Sequence, residues 1–290
     1  MWLTGSLYVV GAAVGLALAR SRRSTARWPV AIRVQILIAA CLLGVVAAWR
    51  LHAARQMEVP LGIEVVLSAV VVAALVTRGR ATTGEAALWS WAASANSSFW
   101  AIPLATALAG PEGAVLAVLT DRLAAPRGAW ITHLLRRHAP TPQRRRSAWV
   151  DQAPLAALAI GLGLHLSGPA PHWTASVTRY VGPWLALTGA MLFTGSLSHD
   201  ATRSVEVTPR DRRRVAGLFA VRMGLAVPLL VWRWGGPGAV VIALNAWSVP
   251  AFLPAQMSVL YGYRTGVVRA AATWGWLIAP VGVVLAVAAR

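Results

Sequence analysis

The chain has 290 residues, of which 57% are hydrophobic and only 12% are charged. Soluble globular domains carry about 25% charged residues, so this composition excludes an ordinary soluble domain. The formal net charge is +18. Most arginines lie in short stretches between apolar segments, where they orient a membrane protein, so we expect no nucleic-acid partner.

Ten apolar segments follow one another along the chain and predict an all-α membrane protein. Their predicted limits are 2–19, 30–48, 59–77, 86–109, 113–134, 153–168, 176–197, 214–232, 237–260 and 267–289. We expect no cleavable signal peptide, because the first segment starts at Trp2 without a basic region before it and is long enough to span. The fifth segment is the least apolar, since Asp121, Arg122 and Arg127 interrupt it.

The arginines are distributed unequally between the two sides of the predicted membrane. With the N-terminus outside, eighteen arginines fall in the inner loops and five on the outer side. This bias predicts a multi-pass protein of the cell membrane, with both termini outside and the central loop in the cytoplasm. The single Cys41 excludes an intrachain disulfide and a cysteine metal cluster.

The longest polar stretch, residues 136–151, divides the chain into two halves of five segments each. We expect a first five-helix repeat over 1–135, a cytoplasmic linker over 136–151 and a second repeat over 152–290. Because each half has an odd number of segments, the halves run through the membrane in opposite senses. This is the arrangement of inverted-topology repeats.

The fourth and ninth segments share a polar, proline-containing stretch at matching positions. Asn96 is followed by Pro103, and Asn245 is followed by Pro250. Proline lacks an N–H and frees carbonyls from the helical ladder, and these groups must find partners in protein, water or ligand. Broken helices at matching positions of two halves are typical of a transport site, although a plain kinked helix is the simpler alternative.

At these residues the chain resembles the auxin efflux carrier family of permeases, which includes malonate-type carriers. The matching blocks are Asn96-Ser97-Ser98-Phe99-Trp100-Ala101-Ile102-Pro103-Leu104, Gly110-Pro111-Glu112-Gly113-Ala114, Leu119-Thr120-Asp121, and, in the second half, Pro250 and Leu260-Tyr261-Gly262. The chain departs from the family pattern at Ala101, where a glycine is usual, and at Leu253-Pro254-Ala255, where a polar residue is common.

The resemblance implies a secondary transporter of ten helices in two inverted repeats. It implies that helices four and nine are unwound and cross near the midplane. It also implies that helices one, two, six and seven form a scaffold against which the other helices move. Organic anions such as dicarboxylates are the implied substrates, and homodimers formed through the scaffold are common in related folds.

The predicted substrate site consists of polar residues and prolines near the two breaks. Its members are Asn96, Ser97, Ser98, Pro103, Asn245, Ser248, Pro250 and Arg222. Helix N-termini at the breaks direct partial positive charge to the midplane and favour an anion. Asn96 also suits a helix cap, and the serines bond equally well to carbonyls of their own helix. Arg222 suits either a substrate carboxylate or neutralisation of Glu64 or Asp121.

Asp121 and Glu64 are the predicted coupling residues, because ionisable groups within apolar segments suggest ion or proton transfer. For Asp121 we favour an ion pair with a nearby arginine such as Arg122 or Arg127, with coupling second. No nucleophile elbow, phosphate loop or paired-histidine metal motif occurs, so we expect neither an enzyme nor a cofactor.

We therefore predict a carrier that exports or exchanges a small organic anion, with a proton more favoured than sodium as the coupling ion. One alternative is a sodium- or metalloid-dependent carrier of the related bile-acid type. A membrane acyltransferase is disfavoured, because no catalytic pattern accompanies His133 and His138. A non-transporting sensor needs a soluble output domain, for which we expect no room.

The site assignment predicts that Asn96→Ala or Pro103→Leu abolishes transport while the protein still reaches the membrane. Uptake assays on membrane fractions with matched protein amounts measure both properties. Normal transport by a well-expressed Asn96→Ala variant would refute the assignment.

Overall fold

The computed structural model describes residues 2–19, 34, 41–50, 57–76, 89, 92, 94–138, 149–201, 207–250 and 265–290. All regular structure in these ranges is helical, which confirms the predicted all-α class for them. The α-helices among them are α1 (Trp2–Ala19), α2 (Cys41–Trp49), α3 (Glu58–Val76), α4 (Ile102–Leu123), α5 (Ala125–Arg137), α6 (Trp149–Ser167), α7 (Trp173–Ala201), α8 (Pro209–Trp232), α9 (Pro237–Ala246) and α10 (Thr265–Ala288). A π-helical turn, Ser97–Ala101, precedes α4.

Apart from ends shifted by a few residues, the described helices differ from the predicted segments at three places. The fourth and fifth segments, predicted as separate, meet within α4, which is kinked at Gly110. The φ of Gly110 is 62°, a conformation that glycine adopts readily because it has no Cβ. The fifth segment, predicted as continuous, is divided by a turn at Ala124 between α4 and α5. The ninth segment is helical only from Pro237 to Ala246, and the predicted remainder over 251–260 lies outside the described residues.

Among the residues that the structure describes, three stretches are long and apolar enough to cross a membrane. They are Phe99–Leu135, Pro209–Trp232 and Ala270–Ala288. Val9–Leu18, Ala156–Ser167 and Pro237–Ala246 are shorter apolar helices. A helix needs about 20 residues to span the hydrocarbon core, and the 37 residues of the first stretch exceed this and include the break at Gly110. These apolar helices are consistent with a membrane protein.

Two helix pairs pack along each other, α1 with α7 and α2 with α6. Gly11 and Gly15 of α1 lie directly against the backbone carbonyls of Leu187 and Met191 of α7. The Thr194 hydroxyl donates to the Ala12 carbonyl across this contact at 3.1 Å. Small residues four apart allow such close backbone approach, which is a common basis of helix association in membranes.

Four of the remaining helices pack around α9. Every residue of α9 from Ala239 to Ala246 is buried, and the helix contacts α3, α4, α8 and α10. A helix that is apolar on all sides is expected at the centre of a bundle. The apolar core of these helices therefore surrounds the point where α9 ends.

The packing of α1 on α7 predicts that Gly11→Ala destabilises the protein, since the added Cβ meets the Leu187 carbonyl. We expect a loss of roughly 1–3 kcal/mol, measured as thermal unfolding in detergent micelles. Gly163→Ala is the matched control, because nothing lies within 4 Å of its added Cβ. This control should be neutral or stabilising by up to about 1 kcal/mol, as alanine favours helix. Equal destabilisation by both changes would contradict the packing.

Candidate functional site at the crossing of two broken segments

Two non-helical segments meet in the interior. Ala95 and Pro250 form an isolated antiparallel bridge, and the Asn96 N–H donates to the Val249 carbonyl at 3.0 Å. The same N–H lies 3.3 Å from the Ser248 hydroxyl oxygen. We call this region, residues 94–97 and 245–250, the crossing. The predicted broken stretches of the fourth and ninth segments are therefore in direct contact.

The first break is made by Asn96 rather than by Pro103. The Asn96 side-chain oxygen accepts from the Phe99 N–H at 3.2 Å and caps the π-helical turn. This confirms the capping role expected for Asn96. Pro103 is the second residue of α4, where a missing N–H costs little. The prediction that Pro103 breaks the helix is therefore wrong, because the break lies before it, at Asn96. Pro103 lies where the π-helical turn changes to an α-helix.

The second break follows the end of α9. Trp247 caps the helix with φ −106° and ψ 43°, and the chain then runs without helix through Pro250. Gly275 of α10 makes room for it: a Cβ on this glycine would lie 2.7 Å from Pro250 Cδ and 2.8 Å from Val249 Cα. The absence of a side chain at Gly275 thus lets the broken segment lie against α10.

Buried side chains join the two segments by hydrogen bonds. The Ser97 hydroxyl donates to the Asn245 side-chain oxygen at 2.6 Å, and the Asn245 amide donates to the Val241 carbonyl at 2.8 Å. The Ser248 hydroxyl donates to the Asn245 carbonyl at 2.9 Å. This is the bond to a carbonyl of the same segment that the sequence analysis gave as one alternative for the serines. Ser97, Asn245 and Ser248 are all buried, so these bonds form away from water.

Arg222 of α8 supplies donors to the end of α9. It is 0% exposed, its Nε donates to the Ala246 carbonyl at 2.9 Å and one terminal nitrogen donates to the Ser248 carbonyl at 2.5 Å. The last carbonyls of a helix lack partners within it, and a cation there also offsets the negative end of the helix dipole. Arg222 therefore caps the C-terminal end of α9 and stabilises the non-helical segment that follows it.

The carboxylates that Arg222 was considered to neutralise have other partners. Glu64 of α3 accepts two bonds from Arg127 of α5, at 2.7 and 3.1 Å. Asp121 pairs with Arg122, its neighbour in α4, as favoured from the sequence. The neutralisation of Glu64 or Asp121 by Arg222 is therefore wrong, because nearer guanidinium groups occupy both carboxylates.

Arg127 also links its ion pair to the crossing. Its other terminal nitrogen donates to the Ser94 hydroxyl at 2.7 Å, two residues before Asn96. The side chains of Arg127 and Glu64 are 10% and 18% exposed, so this contact is largely screened from water. Sequence inspection missed the roles of Ser94 and Arg127. The sequence feature that could have indicated these roles is the presence of a serine and an arginine inside apolar segments.

Within the crossing, the side-chain amide nitrogen of Asn96 lacks a hydrogen-bond partner among the described residues. Because the Phe99 N–H is a donor, it fixes the Asn96 oxygen towards the cap and leaves Nδ2 on the other side. Nδ2 is buried and has no hydrogen-bond partner among the residues that the structure describes. A buried amide without a partner costs about 1–3 kcal/mol, so a bound acceptor there would be stabilised.

Several predicted features fall outside the described part of the chain. They include the side chain of Ser98, the second-half stretches Leu253-Pro254-Ala255 and Leu260-Tyr261-Gly262, most of the predicted linker over 136–151 and the start of the second segment. Comparisons with family models, with curated proteins and with solved structures find no match to this chain. A function must therefore be argued from the geometry of the crossing.

The cap made by Arg222 predicts a large stability loss for Arg222→Met, which keeps an aliphatic stem but leaves two carbonyls without donors. We expect about 2–3 kcal/mol or more, because hydrogen bonds from charged groups are strong. Thermal unfolding in detergent is the measurement, and Arg210→Met, at an exposed position of the same helix, is the control. Unfolding of Arg222→Met at the wild-type temperature would show that this cap contributes nothing.

Proposed function

We propose that the protein is a secondary transporter of the auxin efflux carrier type, which moves a small organic anion across the cell membrane by alternating access. The observation that supports this most strongly is the buried crossing, where two interrupted helices pair with each other inside an apolar bundle. Interrupted helices at membrane depth are tolerated where protein or a cavity satisfies the freed backbone, and carriers bind substrates at such points.

The chemistry of the crossing supports an anionic substrate. Asn96 Nδ2 is a buried donor, and it lies at the N-terminal end of the π-helical turn that continues into α4. The partial positive charge of a helix N-terminus and an amide donor both suit a carboxylate. In this proposal the Asn96 oxygen maintains the cap while its nitrogen binds the substrate.

The pairing of helices supports two inverted five-helix halves. Exchange of the first half with the second converts the contact between α1 and α7 into the contact between α6 and α2, and both contacts are present. The contact between α3 and α8 and the crossing itself map onto themselves. Two symmetric halves give two equivalent packing states, which is the structural requirement of alternating access.

In this proposal α1, α2, α6 and α7 form the scaffold and the other helices move. The contact between the groups includes Gly189 of α7, which lies against the Phe99 ring of the π-helical turn. It also includes Gly44 of α2, which faces the Arg122 side chain. Glycines at these contacts have no side chains to interlock with the moving helices. This favours sliding of the moving helices along the scaffold.

The proposed coupling residue is Glu64, with a proton as the coupling ion. Arg127 joins Glu64 to Ser94, so a change in the charge of Glu64 alters the bonds that hold the first broken segment. Asp121 is a weaker candidate for this role, because its partner Arg122 is adjacent in the same helix.

This function predicts that proteoliposomes containing the purified protein take up a labelled carboxylate when a pH gradient is imposed. Malonate and other small mono- and dicarboxylates are the first substrates to screen, with protein-free liposomes as background. Uptake driven by sodium alone would replace the proton with sodium as the coupling ion. If no carboxylate moved under either gradient, the anion assignment would be wrong, and metalloids and neutral solutes would be next.

In the same assay, Asn96→Asp separates binding from capping. A carboxylate keeps the oxygen that accepts from Phe99 but replaces the Nδ2 donor, so we expect the cap to persist and uptake to fall to background. The buried charge lowers stability, and thermal unfolding therefore checks that the variant still folds. Glu64→Gln should retain exchange of substrate between the two sides but lose accumulation driven by the pH gradient. Wild-type uptake by Asn96→Asp would exclude Nδ2 as a substrate contact.

A further inference from the structure

A basic surface lies at one end of the helix bundle, remote in sequence from the crossing. Arg210, Arg212 and Arg213 occupy the first two turns of α8 and are exposed. Arg137, the last residue of α5, is exposed as well. We call these four residues the basic end.

The packing of three helices brings the basic end together. Ile131 and Leu135 of α5 belong to the same buried apolar cluster as Val215 and Phe219 of α8 and Val267 of α10. Arg137 follows Leu135 by two residues, and Arg213 precedes Val215 by two residues. The guanidinium groups of both helices therefore lie at the same end of the bundle, just beyond this cluster.

The start of α8 is held in place by its cap. The Thr208 hydroxyl accepts from the Asp211 N–H at 3.1 Å and donates to the Asp211 carboxylate at 2.8 Å. Arg214 lies over the Trp89 ring at 5.8 Å. The helix thus begins with a fixed direction, and its exposed arginines project from a defined position.

Beyond its first turns, α8 presents large apolar side chains to its surroundings. Val221, Leu225, Val231 and Trp232 are all exposed. In a membrane protein such a surface contacts the hydrocarbon, so the arginines at the start of the helix lie at the level of the lipid headgroups. Charge complementarity at that depth selects anionic headgroups.

We propose that the basic end binds the phosphate groups of anionic lipids in the leaflet that it faces, and that these lipids stabilise the folded protein. This inference needs a membrane location but does not depend on transport. It also differs from a purely topogenic role of the arginines, because it requires a contact that persists after insertion. The guanidinium fork matches phosphate oxygens in two parallel hydrogen bonds.

The test uses purified protein in a neutral detergent, where orientation in a membrane has no influence. Phosphatidylglycerol or phosphatidylcholine of equal chain length is added at increasing mole fraction, and the thermal unfolding temperature is measured. We expect phosphatidylglycerol to raise this temperature and phosphatidylcholine to raise it much less. Each arginine near an anionic surface strengthens binding by about fivefold, so Arg212→Gln/Arg213→Gln should need about 25-fold more phosphatidylglycerol for the same effect.

Three controls make the outcome specific. Arg212→Lys/Arg213→Lys retains the charge but loses the two-bond fork, so its response should lie between those of the wild type and the glutamine variant. Arg50→Gln/Arg290→Gln removes the same charge from the ends of α2 and α10 and should leave the lipid effect unchanged. If the double glutamine variant does not fold, the wild type in about 1 M salt replaces it, since a Debye length near 3 Å should remove most of the effect.

Equal stabilisation by both lipids, or an unchanged response of Arg212→Gln/Arg213→Gln, would overturn the proposal. So would an equal loss in the Arg50→Gln/Arg290→Gln control, because the effect would then reflect net charge alone. Soluble glycerol phosphate is the last comparison. If it stabilised the protein as well as phosphatidylglycerol at the same phosphate concentration, the surface would be a site for a free phosphate compound and not for a lipid.

Discussion

The hydrogen bond from the Asn96 N–H to the Val249 carbonyl marks the constraint on which this structure depends. A helix that stops inside an apolar bundle exposes backbone groups that hydrocarbon does not satisfy. Here two interrupted segments satisfy part of each other's backbone by pairing as a single antiparallel bridge. Neither interruption is stable in an apolar interior without a partner, so each depends on the other.

The groups around the crossing follow from this requirement. Asn96 caps the segment that starts a helix, and Arg222 caps the segment that ends one. The two residues differ because the two helix ends do: a start leaves N–H groups that need an acceptor, and an end leaves carbonyls that need a donor. Gly275 provides the space that lets the second segment lie against α10.

Three arginines of this region, of which Arg122 and Arg222 are buried and Arg127 is largely buried, perform different tasks in spite of their common chemistry. Arg222 donates to carbonyls, Arg127 joins a carboxylate to a serine, and Arg122 pairs with its neighbour Asp121. A buried guanidinium is costly unless its donors are used, and its planar fork allows one side chain to serve two acceptors. This explains how Arg127 can carry a change at Glu64 to the crossing, as the proposed coupling requires.

The distribution of apolar segments was enough to predict helices, because spacing and hydropathy are local properties, and the matching Asn–Pro stretches indicated where two of them break. The distribution of apolar segments does not predict which residues contact each other. Pro103 appeared to be the breaking residue, but Asn96 does this through a cap whose geometry depends on Val249, more than 150 positions away. Arg222 was expected near a substrate or a carboxylate, and only the arrangement of α8 against α9 decides that carbonyls receive its donors. Partner choice among buried polar groups depends on distances between helices, which the order of residues along one chain does not contain.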